Sequence, residues 1–224
     1  MLGSLNISDI VAIVIVVLFV MWGAKKGLVK SVLGLGSIII SIVLALTLYQ
    51  PVSTFLKDSV IGEYVTVNIA KVLDASEKEP EEMETEDAAN ALNLPPEIMS
   101  KVSESVDDIK TTALGSISTS VSSLAINLLS MLIVFLVIKL ILWIITLLLD
   151  AVTGIPVIRG LNKMLGGVLG AVSGIITIYI LLAILTFMTA VDTDNKIVNN
   201  VLESTYVSKM YNDNFVVNFI NVDK

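Results

Sequence analysis

Histidine and cysteine are absent from the chain. Without cysteine there is no disulfide and no thiolate nucleophile. Without histidine there is no imidazole for acid–base work, and zinc sites built on nitrogen and sulfur ligands are excluded. Charge is also scarce: 16% of the 224 residues are charged and 55% are hydrophobic. A soluble domain carries about 25% charged and about 45–50% apolar residues. The mean hydropathy is +0.88, so the chain has too little polar surface to cover a water-facing globule. Aromatic residues are 6% and the net charge is −7, which leaves neither a base-stacking platform nor a basic patch and argues against nucleic acid. These shortages point to a membrane protein.

What the chain does have is long uncharged runs. A spanning helix needs about 20 mainly apolar residues to cross about 30 Å of hydrocarbon. Four segments qualify: Ile7–Trp22, Ser31–Tyr49 with Pro51 as its stop, Leu124–Leu149 broken only by Lys139, and Met164–Ala190. A helix satisfies its own backbone in lipid, so the pattern predicts an all-α polytopic bundle of four transmembrane helices with amphipathic extramembrane helices. The divisions are a first two-helix hairpin over 1–50, a loop region over 51–123, a second helix pair over 124–190 and an amphipathic tail over 191–224. The first run lacks a preceding basic residue and is followed by Lys25 and Lys26. That order is the reverse of a signal peptide, so a retained helix is expected. Gly23–Lys30 holds three lysines and no acid, and Asp150–Lys163 holds Arg159 and Lys163. Short basic loops stay in the cytoplasm, so both termini and the 51–123 loop are expected outside.

Twelve acids and two lysines lie between Asp74 and Asp108. Glu77–Asp87 reads as a solvated, mobile linker, with a surface for cations or a basic partner as the alternative. It lacks the EF-hand spacing. From Ile98 an apolar stripe follows at steps of three or four: Val102, Val106, Ile109, Ala113, Ile117, Val121 and Leu124. This predicts an amphipathic helix lying on the membrane face or on a partner. Val52–Leu73 and the tail Ile197–Val222 are weaker versions, and Tyr206, Tyr211, Phe215 and Phe219 suit a membrane interface.

Gly166, Gly170 and Gly174 form a double G-x-x-x-G that lets another backbone approach closely. The expected partners are the second or third span within the chain, or a second copy in a homodimer. Gly34 and Gly36, with Ser37 and Ser41, give the second span a plausible complementary face. Lys139 lies mid-span, where a charge costs about 2.5–3.5 kcal/mol on insertion scales. Asp9, Asp150, Asn127 and Ser173 are its candidate partners, and it is the one candidate functional charge inside the spans. No catalytic, cofactor or metal residues emerge. There is no histidine to serve a nucleophilic serine, no facing pair of intramembrane carboxylates and no phosphate loop of the G-x-x-x-x-G-K-[ST] kind. A non-enzyme is expected.

Two places resemble the colicin V production (CvpA-type) family of bacterial inner-membrane proteins. One is Asp9 at the head of the first span, followed by the turn Trp22-Gly23-Ala24-Lys25-Lys26-Gly27-Leu28-Val29-Lys30. The other is Asn162-Lys163-Met164-Leu165-Gly166-Gly167-Val168-Leu169-Gly170 at the start of the last span. The matching positions are Asp9, Gly23, Lys25, Lys26, Gly27, Asn162, Gly166 and Gly170. The departures are the long acidic loop and lysine where an arginine is more common in the first turn. The resemblance implies a multi-pass protein of the bacterial plasma membrane, associated with colicin V production or export and with envelope homeostasis. The combined expectation is a non-enzymatic accessory acting by assembly in the bilayer, with copies of itself or other membrane proteins as partners. No nucleic acid, cofactor or small-molecule substrate is indicated. The alternative is a small transporter or channel component using Lys139 in an oligomer.

Overall fold

The computed structural model describes residues 6–74, 92–95, 98, 100–102, 113–150, 159–191 and 196–219. The described residues are helical with no strand. Four long helices are α1 (Ile7–Lys26), α2 (Leu28–Lys57), α4 (Ala113–Asp150) and α5 (Arg159–Val191), and α3 (Val60–Asp74) follows α2. The tail forms α6 (Lys196–Leu202), α7 (Val207–Asn212) and α8 (Phe215–Asn218). The four long helices each contain a stretch apolar and long enough to cross a membrane, so the chain is a polytopic all-α bundle.

Local chemistry sets the helix ends. Asn6 and Asp9 form a capping box at the start of α1, and Lys25 and Lys26 sit in its last turn, where positive charge suits the dipole. Gly27 (φ +81°) closes α1 and opens α2 as a one-residue joint. Helix α2 does not stop at Pro51; it runs through the proline to Lys57. Proline removes one backbone donor, and neighbouring helices and hydroxyls can absorb that loss in a spanning helix. Ser53, just past the proline, donates to Asn127 Oδ1 of α4, which ties the extension down. At 1.5 Å per residue α2 is about 45 Å long and α4 about 57 Å, both well beyond a core of about 30 Å. Their ends therefore project on the side that carries the tail.

Helix α1 packs chiefly on α5, and α2 chiefly on α4 with a second contact to α5. The main core runs between α2, α3, α4 and α5 around Ala45, Tyr49, Met131 and Ala183. A second cluster joins Leu182 and Leu185 of α5 to Val198, Val201, Val207 and Tyr211 of the tail. The outward faces of the spans are apolar and exposed, as at Val14, Leu18, Ile40 and Leu140, which is the surface a bilayer covers.

The extramembrane segments fold onto protein. Ile98, Val102, Ile117, Val121 and Leu124 of the apolar stripe are all buried in the main core, along with Val65, Ile69 and Leu73 of α3. Val106, Ile109 and the acidic segment Glu77–Asp87 lie outside the described residues. In the tail, Tyr211 is fully buried and Phe215 stacks edge-on against Tyr179 of α5 at 4.9 Å, so two of the four aromatics serve packing rather than an interface. Tyr206 and Phe219 remain exposed.

Candidate functional site

Three constellations hold the residues singled out from the sequence. The first is a seam between α1 and α5. A Cβ on Gly23 would overlap the carbonyl oxygen of Gly166 and come within 2.9 Å of Gly170 Cα. A Cβ on Gly166 would overlap the Gly23 carbonyl oxygen, and one on Gly170 the Phe19 carbonyl oxygen. At Gly174 the approach is looser, 3.0 Å from Phe19 Cβ. The backbones therefore touch along two turns, and the glycine face of the last span meets the first span, not the second or third. Gly34 takes no part: a Cβ there, or on Gly36, meets nothing within 4 Å. Shape complementarity selects the partner, and α1 offers Gly23 in register where α2 offers none.

The seam ends at the Gly27 joint. Asn162 Oδ1 accepts from the Leu28 amide at 2.5 Å and so caps α2 across the fold. Ser31 Oγ donates to the Gly23 carbonyl at 3.2 Å. Gly27 has backbone angles that only glycine tolerates, and a Cβ there would lie 2.5 Å from Asn162 Nδ2. Gly27→Ala is expected to cost about 2–3 kcal/mol. Adding Asn162→Ala removes the clash but not the backbone strain, so chemical denaturation in micelles should show only partial recovery.

The second constellation is a clasp at the opposite end. Asp9 is buried, with 1% of its surface exposed. Its carboxylate accepts from the amides of Thr205 and Tyr206 at 3.0 Å and of Val207 at 3.1 Å. Asn6 Nδ2 donates to the Asn200 carbonyl at 2.8 Å. The head of the first span thus grips the tail. Further along, Tyr211 hydroxyl lies 3.2 Å from Thr189 Oγ1, and Asn214 Nδ2 donates to the Tyr179 carbonyl at 3.0 Å. Burial pushes the Tyr211 phenol above its ordinary range, so it stays neutral and able to donate. Asp9 was legible in sequence as a polar helix head, but no local signal marks Thr205–Val207 as its partners.

The third is a cavity of about 490 Å³ lined by residues from all four spans. Lys139 enters it from α4. Its ammonium donates to Ser37 Oγ and lies 3.4 Å from the Gly34 carbonyl oxygen, both on α2. Asp9 and Asn127 are therefore not its partners: each is engaged elsewhere, and Asp9 is at the far end. The side chain of Asp150 lies outside the described residues, and Ser173 lines the same cavity while donating to Leu169. Lys26 and Lys30 also line it, and Lys26 Nζ stands 3.6 Å over the Trp22 ring. Lys25 is exposed beside them. Among the described residues no cluster of three metal-ligating side chains occurs, and no buried side-chain nitrogen or oxygen lacks a hydrogen-bond partner.

A helical bundle with four apolar spans, a backbone-contact seam and a tail folded over one end defines a multi-pass membrane protein. Its spans and its family place it in the inner membrane. The chain belongs to the colicin V production protein family, whose pattern matches residues 8–76 and 97–213. The matched stretches take in Asp9 and its partners Thr205–Val207, the Gly27 joint, Asn162, the glycine seam and Lys139. No curated protein and no solved structure matches the chain.

Proposed function

We propose that the protein is a non-enzymatic accessory of toxin production or export, or of envelope homeostasis, and that it works by assembly with other membrane components. The observation that supports this is the cap on the tail-bearing side. There Asp9, Asn6, Asn214 and Tyr211 are all engaged in fastening chain to chain, and none is presented to a reacting group. The cap offers an exposed apolar row: Phe55 (74% exposed), Val60 (81%), Ile61 and Tyr64. It lies where α2 has outrun the bilayer core, so a protein partner is its natural cover. The lysines at the other end support an outward-facing cap.

Photo-crosslinkers at Tyr64 and Val60 in intact cells test the reading. Crosslinks to an export or envelope component support it; crosslinks to lipid alone end it. Orientation has a simple readout because the chain has no native cysteine. Glu203→Cys is expected to react with an impermeant maleimide in intact cells, and Lys25→Cys only after lysis. A second reading, a transporter or channel component, draws on Lys139 lining a cavity; its test is liposome flux abolished by Lys139→Met.

A further inference from the structure

We propose that the lysine-lined cavity seats an anionic phospholipid, with its phosphate at Lys139 and its chain along the apolar wall. Lys139 carries an ammonium with three donors, and its acceptors are one hydroxyl and one carbonyl, both neutral. The other charged residues lining the cavity are Lys26 and Lys30, of the same sign, and no described lining residue is a carboxylate. The Lys139 charge is thus half-buried against neutral acceptors and an apolar wall, where an anion would neutralise it.

The shape narrows the anion. The basic groups and Ser37 gather toward the Gly27 end, while Phe135, Ile180 and Ile184 continue the wall toward the membrane middle. Gly34 keeps that space open, since nothing occupies the volume beside it. A small soluble anion would neutralise Lys139 and leave the apolar half unfilled. A phospholipid satisfies both halves and arrives laterally from the bilayer. Trp22 and Trp143 flank the cavity and are 57% and 56% exposed, the placement of tryptophans at a headgroup boundary. Free phosphate shares the recognised chemistry, so the experiment separates the two sources. The inference stands apart from the accessory reading: it concerns the opposite end of the molecule and is read by a different signal.

Trp22 and Trp143 are the only tryptophans in the sequence, so intrinsic fluorescence reports the cavity without a label. The full chain is reconstituted in phosphatidylcholine vesicles containing dibrominated phosphatidylglycerol or dibrominated phosphatidylcholine. At equal mole fraction the anionic lipid is expected to associate about fivefold more strongly, the scale of one lysine–headgroup contact. Lys139→Met should bring the ratio near unity, and Lys139→Arg should keep most of it. Gly34→Leu fills the cavity without altering charge and should also remove the preference, which keeps the test sound if Lys139→Met does not fold. Equal quenching by both lipids in the wild type overturns the proposal. So does a preference that survives both Lys139→Met and Gly34→Leu, since that would be surface attraction to Lys25 and its neighbours. Loss of the preference in inorganic phosphate, but not in chloride of equal ionic strength, would identify a soluble ligand and overturn the lipid.

Discussion

Gly170→Ala is expected to lower the stability of the bundle by about 3 kcal/mol, whereas Gly34→Ala leaves it unchanged or raises it by up to about 1 kcal/mol. Both are glycines in apolar spanning helices, and propensity alone treats them alike. Their surroundings differ. At Gly170 the new methyl would overlap the Phe19 carbonyl oxygen, which is backbone and cannot rotate away. Helices α1 and α5 must separate along the seam, and in lipid close packing is what holds helices together. At Gly34 the methyl enters open space. Gly23→Ala and Gly166→Ala should behave like Gly170→Ala, and Gly174→Ala should be milder because it meets the Phe19 side chain first. Reversible unfolding in mixed micelles gives the comparison. Similar effects at positions 34 and 170 would refute the backbone contact.

The other large effect is at Asp9. Asp9→Ala removes the acceptor from four amides at once: those of Asn6, Thr205 and Tyr206, which are part-buried, and that of Val207, which is buried. Unsatisfied buried amides cost about 1–3 kcal/mol each. A net loss on the order of 3 kcal/mol would raise the population of the undocked tail about 100-fold. Trypsin cleavage at the exposed Lys196 and Lys209 is the readout, and it should accelerate by a comparable factor. Asp9→Asn keeps one acceptor oxygen, enough for Tyr206 and Val207 but not for Thr205, so an intermediate rate is expected. Unchanged cleavage in Asp9→Ala would mean that the Tyr211 and Asn214 contacts hold the tail unaided.

The spans were legible because length and apolarity are local quantities, and four such runs admit only helices in lipid. The family was legible from Asp9, the glycine turn and the Asn162–Gly170 block, since those residues stand in short contiguous stretches. Pairing was less so. Spacing at Gly166, Gly170 and Gly174 announces that a backbone approaches but carries no address, and Gly34 lies in an equally apolar span with nothing within 4 Å of where its Cβ would be. The tail aromatics matched an interface as well as a core, because both reward a ring with a polar tip. The grip of Asp9 on residues nearly two hundred positions away leaves no periodicity to read. Lys139 could be placed inside the bundle, but its acceptors on α2 depended on how α2 and α4 face each other.

The pairing of α1 with α5 has a consequence for biogenesis. Helix α1 is synthesised before α2, α4 and α5, yet it docks on α5 and meets its immediate successor α2 far less. Until residues 166–174 have been synthesised, the groove at Gly23 can face only lipid or the insertion machinery. The α2–α4 pair can form earlier, so α1 is recruited to a nearly complete bundle and the Asp9 clasp closes last. Closure of the bundle is thereby tied to translation of α5 and of residues 205–207, which the clasp requires. A nascent chain stalled before α5 would carry an orphan first helix, a ready signal for membrane quality control.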